Sequence, residues 1–219
     1  SCSERTEAFL SRCTYVAGQY GERDAYLSLF ERMREVSGPT GRRLFYLAIP
    51  PSLFAVVSES LAGAGLVACV DDEPWTRVVV EKPFGRDRAS SDRLVAELAR
   101  VFGESQTYRI DHYLGKEVVQ NLMVLRFANL IFEPIWNSRY IRHVAIRWQE
   151  DTGVEGRGGY YDAYGVVRDV MQNHLLQIMA LIAMEPPPAL DSHHIRDAKV
   201  RLLREVSPAA ASGVVLGQY

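Results

Sequence analysis

The sequence predicts an α/β part followed in series by an α+β part, joined near residue 112. Two observations carry that prediction. Between residues 44 and 102, short apolar runs alternate with stretches of helical spacing, the strand, helix, strand, helix order of a parallel sheet. Beyond residue 112 the order changes to long helices around one strand of alternating polarity. The composition suits a folded chain: 219 residues, 47% apolar and 24% charged, is ordinary for a soluble globular protein. At about 150 residues per domain, this length allows roughly one and a half domains. Disordered, collagen-like and small disulfide-stapled chains are excluded. The expected domains are 1–112 and 113–219.

Residues 4–12 and 22–36 have helical spacing, the second with Tyr26, Leu29, Phe30 and Met33 on one face. A Gly/Pro turn at 38–41 leads into Leu44-Phe45-Tyr46-Leu47-Ala48-Ile49, which Pro50-Pro51 stops. Such a continuous apolar run reads as a strand buried on both faces. A helix follows over about 52–61, with Pro51 suited to its first turn. A second buried strand spans Arg77 to Glu81 and ends at Lys82-Pro83-Phe84-Gly85. Ser90-Ser91-Asp92 then caps a helix running to about Phe102. In the second part, a helix over about 116–130 precedes an alternating strand, Ile141 to Trp148. Glycine-rich residues 153–159 lead into one long apolar helix from Tyr161 to Met184, closed by three prolines. Residues 191–206 form the last helix.

The net charge is −2, from 25 basic and 27 acidic residues, and no basic tract stands out. No nucleic-acid partner is expected on that ground. The longest near-continuous apolar run, Leu175 to Met184, carries Gln177 and falls short of the ~20 residues a spanning helix needs, so no membrane partner is expected either. Cys2, Cys13 and Cys69 are spaced for neither a zinc site nor a disulfide framework. The expectation is no metal and a reducing compartment. The chain opens Ser-Cys-Ser-Glu-Arg, without a signal-peptide pattern, and stops at Val-Val-Leu-Gly-Gln-Tyr, which reads like a strand beginning. Both ends look cut, as in an internal fragment.

One obvious motif is a decoy. Gly63-Ala64-Gly65-Leu66-Val67-Ala68 fits a dinucleotide fingerprint, but that motif must leave a strand and open a helix. Here a helix precedes it and Asp71-Asp72-Glu73-Pro74 follows, so it reads as a loop. The lysines say more. Arginine supplies 22 of the 25 basic residues, leaving Lys82, Lys116 and Lys199, so each lysine invites a reason. Lysine is a compact point charge that suits a single phosphate or hydroxyl, whereas arginine is a planar fork. Lys199, on a charged helix, reads as drift. Lys82 sits at the carboxyl end of a buried strand, where open α/β sheets place their ligands, beside a Pro83 able to take a cis bond.

Lys116 lies in Arg109-Ile110-Asp111-His112-Tyr113-Leu114-Gly115-Lys116-Glu117. His112, Tyr113 and Lys116 cluster where a helix begins, and helix N–H groups add to the lysine charge in binding a phosphate. The plain alternative is a solvated loop. His174 lies deep in an apolar helix, where a lone histidine is often a core residue satisfied by one hydrogen bond. Yet Arg168, Asp169, Gln172 and Asn173 concentrate polar groups just before it, and a neutral histidine is a natural general base. Spacing alone leaves catalyst and core equally open.

Together these segments resemble the glucose-6-phosphate dehydrogenase family. The resemblance covers Tyr15-Val16-Ala17-Gly18-Gln19-Tyr20, Leu44 to Pro51, Glu81 to Asp87, Arg109 to Glu117, Gln120 to Asn129, Gly156 to Tyr160, and Arg168 to His174. It runs from about residue 14 to the end, and the Ile110 to Glu117 stretch is very specific to this family. The resemblance implies the C-terminal part of a Rossmann-like dinucleotide-binding domain, then the start of a mixed α+β substrate and dimerisation domain. It also implies the roles. His174 takes the proton of the sugar's C1 hydroxyl as hydride leaves for NADP, and Asp111 orients His174. His112, Tyr113 and Lys116 hold the 6-phosphate, and Glu150 and Asp169 accept from sugar hydroxyls. Lys82 reaches both sugar and cofactor, while Pro50, Pro51 and Pro83 line the nicotinamide side. The implied product is 6-phosphoglucono-δ-lactone, entering the oxidative pentose phosphate pathway. The implied setting is cytoplasmic, as a homodimer or homotetramer.

Three departures accompany the resemblance. The family's glycine-rich pyrophosphate turn and the later part of its large sheet are not in this sequence. Val70-Asp71-Asp72-Glu73-Pro74 reads as a small acidic insertion on a surface loop. The competing readings are a fragment that binds sugar phosphate without catalysis and, far behind, a His/Asp hydrolase, for which no nucleophile elbow is present. The preference for NADP over NAD rests on the resemblance alone.

Overall fold

A computed structural model describes residues 2–69, 73–215 and 217, with the Cys2 side chain excepted. The chain divides into two compact units, 1–110 and 111–219. The expected acidic insertion has Val70, Asp71 and Asp72 outside the described residues, as are parts of the strand expected to begin near Val214. No helix among the described residues is long and apolar enough to cross a membrane.

The first unit runs α1 (Cys2–Leu10), α2 (Arg23–Ser37), β1 (Arg43–Leu47), α3 (Phe54–Gly63), β2 (Thr76–Val80), α4 (Arg88–Ala99) and β3 (Thr107–Arg109). The strands form a parallel sheet in the order β1-β2-β3, with Leu47 opposite Val80 and Val78 opposite Thr107. This is the α/β arrangement that the alternation of runs predicts. β2 is buried along both faces, with Val78 and Val80 fully covered and Val79 at 9% exposure. β1 is not. Leu47 joins the core with Phe54, Leu61 and Leu98, but Leu44 and Tyr46 are 59% and 53% exposed. Helices α2, α3 and α4 supply the core on the Leu47, Val78 and Val80 side, so the alternate residues of the edge strand stay in solvent. The expected face of α2 is confirmed: Tyr26 is buried and Leu29, Phe30 and Met33 pack against the same cluster.

The decoy glycines lie where α3 ends. Gly63 is its last residue and Gly65 turns the chain at φ +72°. The loop beyond is pinned to the sheet, since Gln106 donates to the carbonyls of Ala68 and Thr76 at 3.1 Å each. The cap of α4 also differs from expectation. Asp87, not Ser90-Ser91-Asp92, is the N-cap, its carboxylate accepting from Ser90 N at 2.8 Å. Ser90 completes the reciprocal box by accepting from Asp87 N at 3.1 Å. The helix therefore starts at Arg88 and closes at Ala99, short of Phe102.

The second unit opens with a 3₁₀ turn, His112–Gly115, followed by α5 (Glu117–Phe127), α6 (Gly158–Val166), a π-helical stretch (Val167–Leu175), α7 (Leu176–Ala183) and α8 (Ser192–Glu205). The strand expected over Ile141 to Trp148 is not formed; residues 141–150 have no regular structure and no described segment pairs with them. Alternating polarity permits a strand, but only a partner makes one. The expected single helix from Tyr161 to Met184 is three segments. Gly165, at φ +69° and ψ 161°, breaks the first, in a region of backbone space that is essentially glycine-only.

The core of this unit joins Val119 of α5, Leu181 and Met184 at the end of α7, and Ala198 of α8. Arg126 locks it. Buried at 6% exposure, its guanidinium donates to Leu181 O at 2.6 Å and Met184 O at 2.9 Å, and Trp136 Nε1 donates to Ile182 O at 2.8 Å. These bonds satisfy the carbonyls that the last turn of α7 leaves without helical partners, just before the three prolines.

Candidate active site

The π-helical stretch explains how two polar residues come to be buried in an apolar run. In an α-helix, residues five apart are rotated about 140° from alignment. Hydrogen bonding from residue i to i+5 brings them closer to one face. Asp169 and His174 are five apart, and their exposures are 4% and 2%.

The turn that opens the second unit meets this stretch. Asp111 is its N-cap, its Oδ1 accepting from Tyr113 N at 3.0 Å and lying 2.5 Å from His174 Nδ1. The chain therefore brings together residues 63 apart into a His–Asp pair almost out of water. With Nδ1–H donating to Asp111, Nε2 is the ring nitrogen that carries the lone pair. The Tyr113 ring stacks on the His174 ring at 4.1 Å, and the His112 ring meets it edge-on at 4.8 Å. Lys116 Nζ lies 3.7 Å from the Tyr113 ring centroid. Trp148 Nε1 donates to the Tyr113 hydroxyl, tethering the irregular segment that carries the exposed Glu150. Ligand atoms of Asp111, His112 and His174 all lie within 4.8 Å of one another, but His174 Nδ1 is committed to the carboxylate.

Asp169 is engaged differently. It accepts from the Tyr160 hydroxyl at 2.9 Å and from Arg157 at 3.5 Å, both on the glycine-rich approach to the π-helical stretch. Burial first, and then the bond to Asp169, push the Tyr160 pKa well up, so this hydroxyl stays a donor. Arg157, Tyr160 and Trp148 are thus contacts of the site that sequence reasoning did not single out. The signal for Arg157 and Tyr160 was their place in Gly156-Arg157-Gly158-Gly159-Tyr160, three glycines and two polar residues ahead of Asp169.

The remaining expected residues belong to the first unit. Pro50 and Pro51 follow β1, and Lys82 and Pro83 follow β2, at the carboxyl ends of two adjacent parallel strands. The Lys82–Pro83 peptide is cis. Gly85 is required by its surroundings: at φ +99°, a Cβ there would meet Ser91 N at 2.6 Å.

Residues 1–121 match the family profile described as glucose-6-phosphate dehydrogenase, NAD binding domain. Residues 123–219 match the one described as glucose-6-phosphate dehydrogenase, C-terminal domain. The chain belongs to the glucose-6-phosphate dehydrogenase family. Family members similar to it include glucose-6-phosphate 1-dehydrogenase 3, chloroplastic, of Arabidopsis thaliana, 51% identical over 222 residues covering all of this chain and 36% of the relative. Glucose-6-phosphate 1-dehydrogenase of Dictyostelium discoideum is 51% identical, covering 99% of this chain and 44% of the relative. Among solved structures of the family, a glucose-6-phosphate dehydrogenase in complex with its substrate glucose-6-phosphate matches with TM-score 0.88 and 43% identity, over 96% of this chain and 44% of that one. The enzyme from Mycobacterium avium matches with TM-score 0.81 and 42% identity, over 90% of this chain and 41% of that one. The chain thus spans about two fifths of the length of the family members it matches.

Proposed function

We propose that this chain carries the catalytic base and the sugar-phosphate site of an enzyme that oxidises glucose 6-phosphate at C1 to 6-phosphoglucono-δ-lactone, with NADP as hydride acceptor. The observation that supports this reading best is the 2.5 Å contact between buried His174 and Asp111, with His112, Tyr113 and Lys116 in the same turn.

His174 Nε2 takes the proton from the C1 hydroxyl, and Asp111 holds the ring in the right tautomer and stabilises the imidazolium that forms. Lys116, His112 and Tyr113 bind the 6-phosphate. Lys116 is the N-cap residue of α5, so its charge is added to the field of the helix start. Asp169 and Glu150 accept from sugar hydroxyls, as ionised carboxylates are acceptors only.

The carboxyl ends of β1 and β2 fit a dinucleotide, because ligands of open parallel sheets sit at that edge. Pro50, Pro51, Lys82 and Pro83 would hold NADP there, and NADP when bound supplies the hydride acceptor. In the finer organisation we propose, residues 1–112 are the later part of a Rossmann-like domain and 113–219 the first part of a mixed α+β substrate and dimerisation domain. The complete enzyme is proposed to be a cytoplasmic homodimer or homotetramer, a compartment consistent with the free, exposed Cys13 and Cys69.

Sugar-dependent reduction of NADP tests the reading. The same assay on a chain extended to the length of its relatives, more than twice as long, distinguishes a wrong site from an incomplete one. Turnover of glucose 6-phosphate but not glucose is expected from the extended chain. Reduction of NADP with neither sugar would refute the assignment.

A further inference from the structure

Lys199 reads in the sequence as drift on a charged helix, yet in the structure it does not simply face solvent. It follows the buried Ala198 on α8, and its ammonium is partly buried, donating to Gln177 Oε1 at 2.9 Å. Gln177 stands three residues after His174, at the start of α7. Asp111 is the charged group whose field reaches this ammonium: burial lowers the Lys199 pKa and Asp111 opposes that lowering.

The Asp111 carboxylate has a matching irregularity. Its Oδ1 serves both His174 Nδ1 and Tyr113 N, whereas its Oδ2 is buried with no hydrogen-bond partner among the described residues. A buried carboxylate oxygen without a donor is unfavourable unless a nearby positive charge compensates. If His174 alone supplied that charge, the pair would favour the imidazolium, which is no base.

We propose that Lys199 is a positioning residue for the Asp111–His174 pair: its ammonium, held by Gln177, balances the Asp111 carboxylate from the α8 side and leaves the His174 ring neutral. The proposal rests on the reading of His174 as the base. The other described groups near the pair have contacts of their own. His112 and Tyr113 touch the His174 ring, Lys116 lies over Tyr113, and Asp169 is bonded to Tyr160 and Arg157. On α5, Glu117 is exposed and Arg126 is bonded to the end of α7. On α8, Arg196, Arg201 and Arg204 are exposed, whereas Lys199 is partly buried. This role also gives a reason for a lysine in a chain that fills most of its basic positions with arginine.

The test is the titration of the His174 ring protons by NMR, in the unmodified chain and in Lys199→Met, Lys199→Gln and Lys199→Arg. Loss of the charge should raise the apparent His174 pKa by about half a unit or more, and Lys199→Arg should keep it near the unmodified value. In the unmodified chain, the same resonance should show a second inflection when Lys199 loses its proton, because coupled groups report one another's ionisation. That arm needs no variant. A lysine that merely fastens α8 to α7 would lower the melting temperature of Lys199→Met, leave the His174 titration unmoved and give no second inflection; those results overturn the proposal. In the extended enzyme, the acid limb of kcat/KM should move up by the same amount in Lys199→Met. The ring titration does not require turnover, so failure of the proposed activity would be seen separately.

Discussion

Two neighbouring stretches of one apolar run do different work in this chain. The π-helical residues Val167–Leu175 carry the buried polar residues Asp169 and His174. The regular helix that follows, α7, carries none of them; its far end is packed on Val119 and Ala198 and fastened by Arg126 and Trp136. The irregular half presents chemistry and the regular half holds it in place. An active-site group needs an accurate position more than it needs an ideal helix, and a fastened neighbour supplies that position. Changes in the two halves should therefore separate into effects on turnover and effects on stability.

The largest expected effect lies in the irregular half. His174→Asn keeps a polar group of similar reach but removes the base, so turnover of the extended enzyme should fall by about 100-fold or more with little change in sugar binding. Steady-state kinetics read both quantities; collapse of affinity with turnover intact would break the comparison. In the regular half, Arg126→Ala strips two buried carbonyls of their donor and leaves a void. Unfolding in urea should show a loss of about 2–4 kcal/mol, with the His174 titration unchanged. Gly165→Ala tests the border at which the run first breaks. Its φ of +69° with ψ 161° suits glycine alone, and a loss of about 1–3 kcal/mol is expected. A stabilised variant would mean that the break is not required.

The legible parts of this sequence were those decided locally. The apolar face of α2, the alternation of β1, α3, β2 and α4 and the extent of α8 all follow from spacing and were found where expected. What was not legible depends on neighbours. β3 is three residues, Thr107–Arg109, with no apolar run of its own; β2 makes it a strand by pairing with it. Ile141 to Trp148 shows the converse, an alternating pattern with no described partner. β1 reads as buried on both faces, yet Leu44 and Tyr46 are exposed because coverage is a property of what packs against a strand. The site was legible through residue identity. Asp111, His112, Tyr113 and Lys116 are adjacent in sequence, and the structure adds that His174 joins them. Periodicity could not foresee the π-helical stretch, because it reads helical turns as α by assumption, and residues five apart, as Asp169 and His174 are, lie about 140° apart around a regular α-helix. Lys199 left only its rarity as a signal.

The central claim is that the turn of residues 111–116 and the His174 ring together form a sugar-phosphate site. Calorimetric titration of the folded 219-residue chain with glucose 6-phosphate, with glucose as the control and Lys116→Ala as the second protein, tests it most directly. The account predicts heat for the phosphorylated sugar alone and an affinity weakened about 10- to 100-fold in Lys116→Ala, the worth of one charge-assisted bond. Equal binding of glucose, or an unchanged affinity in Lys116→Ala, would contradict it.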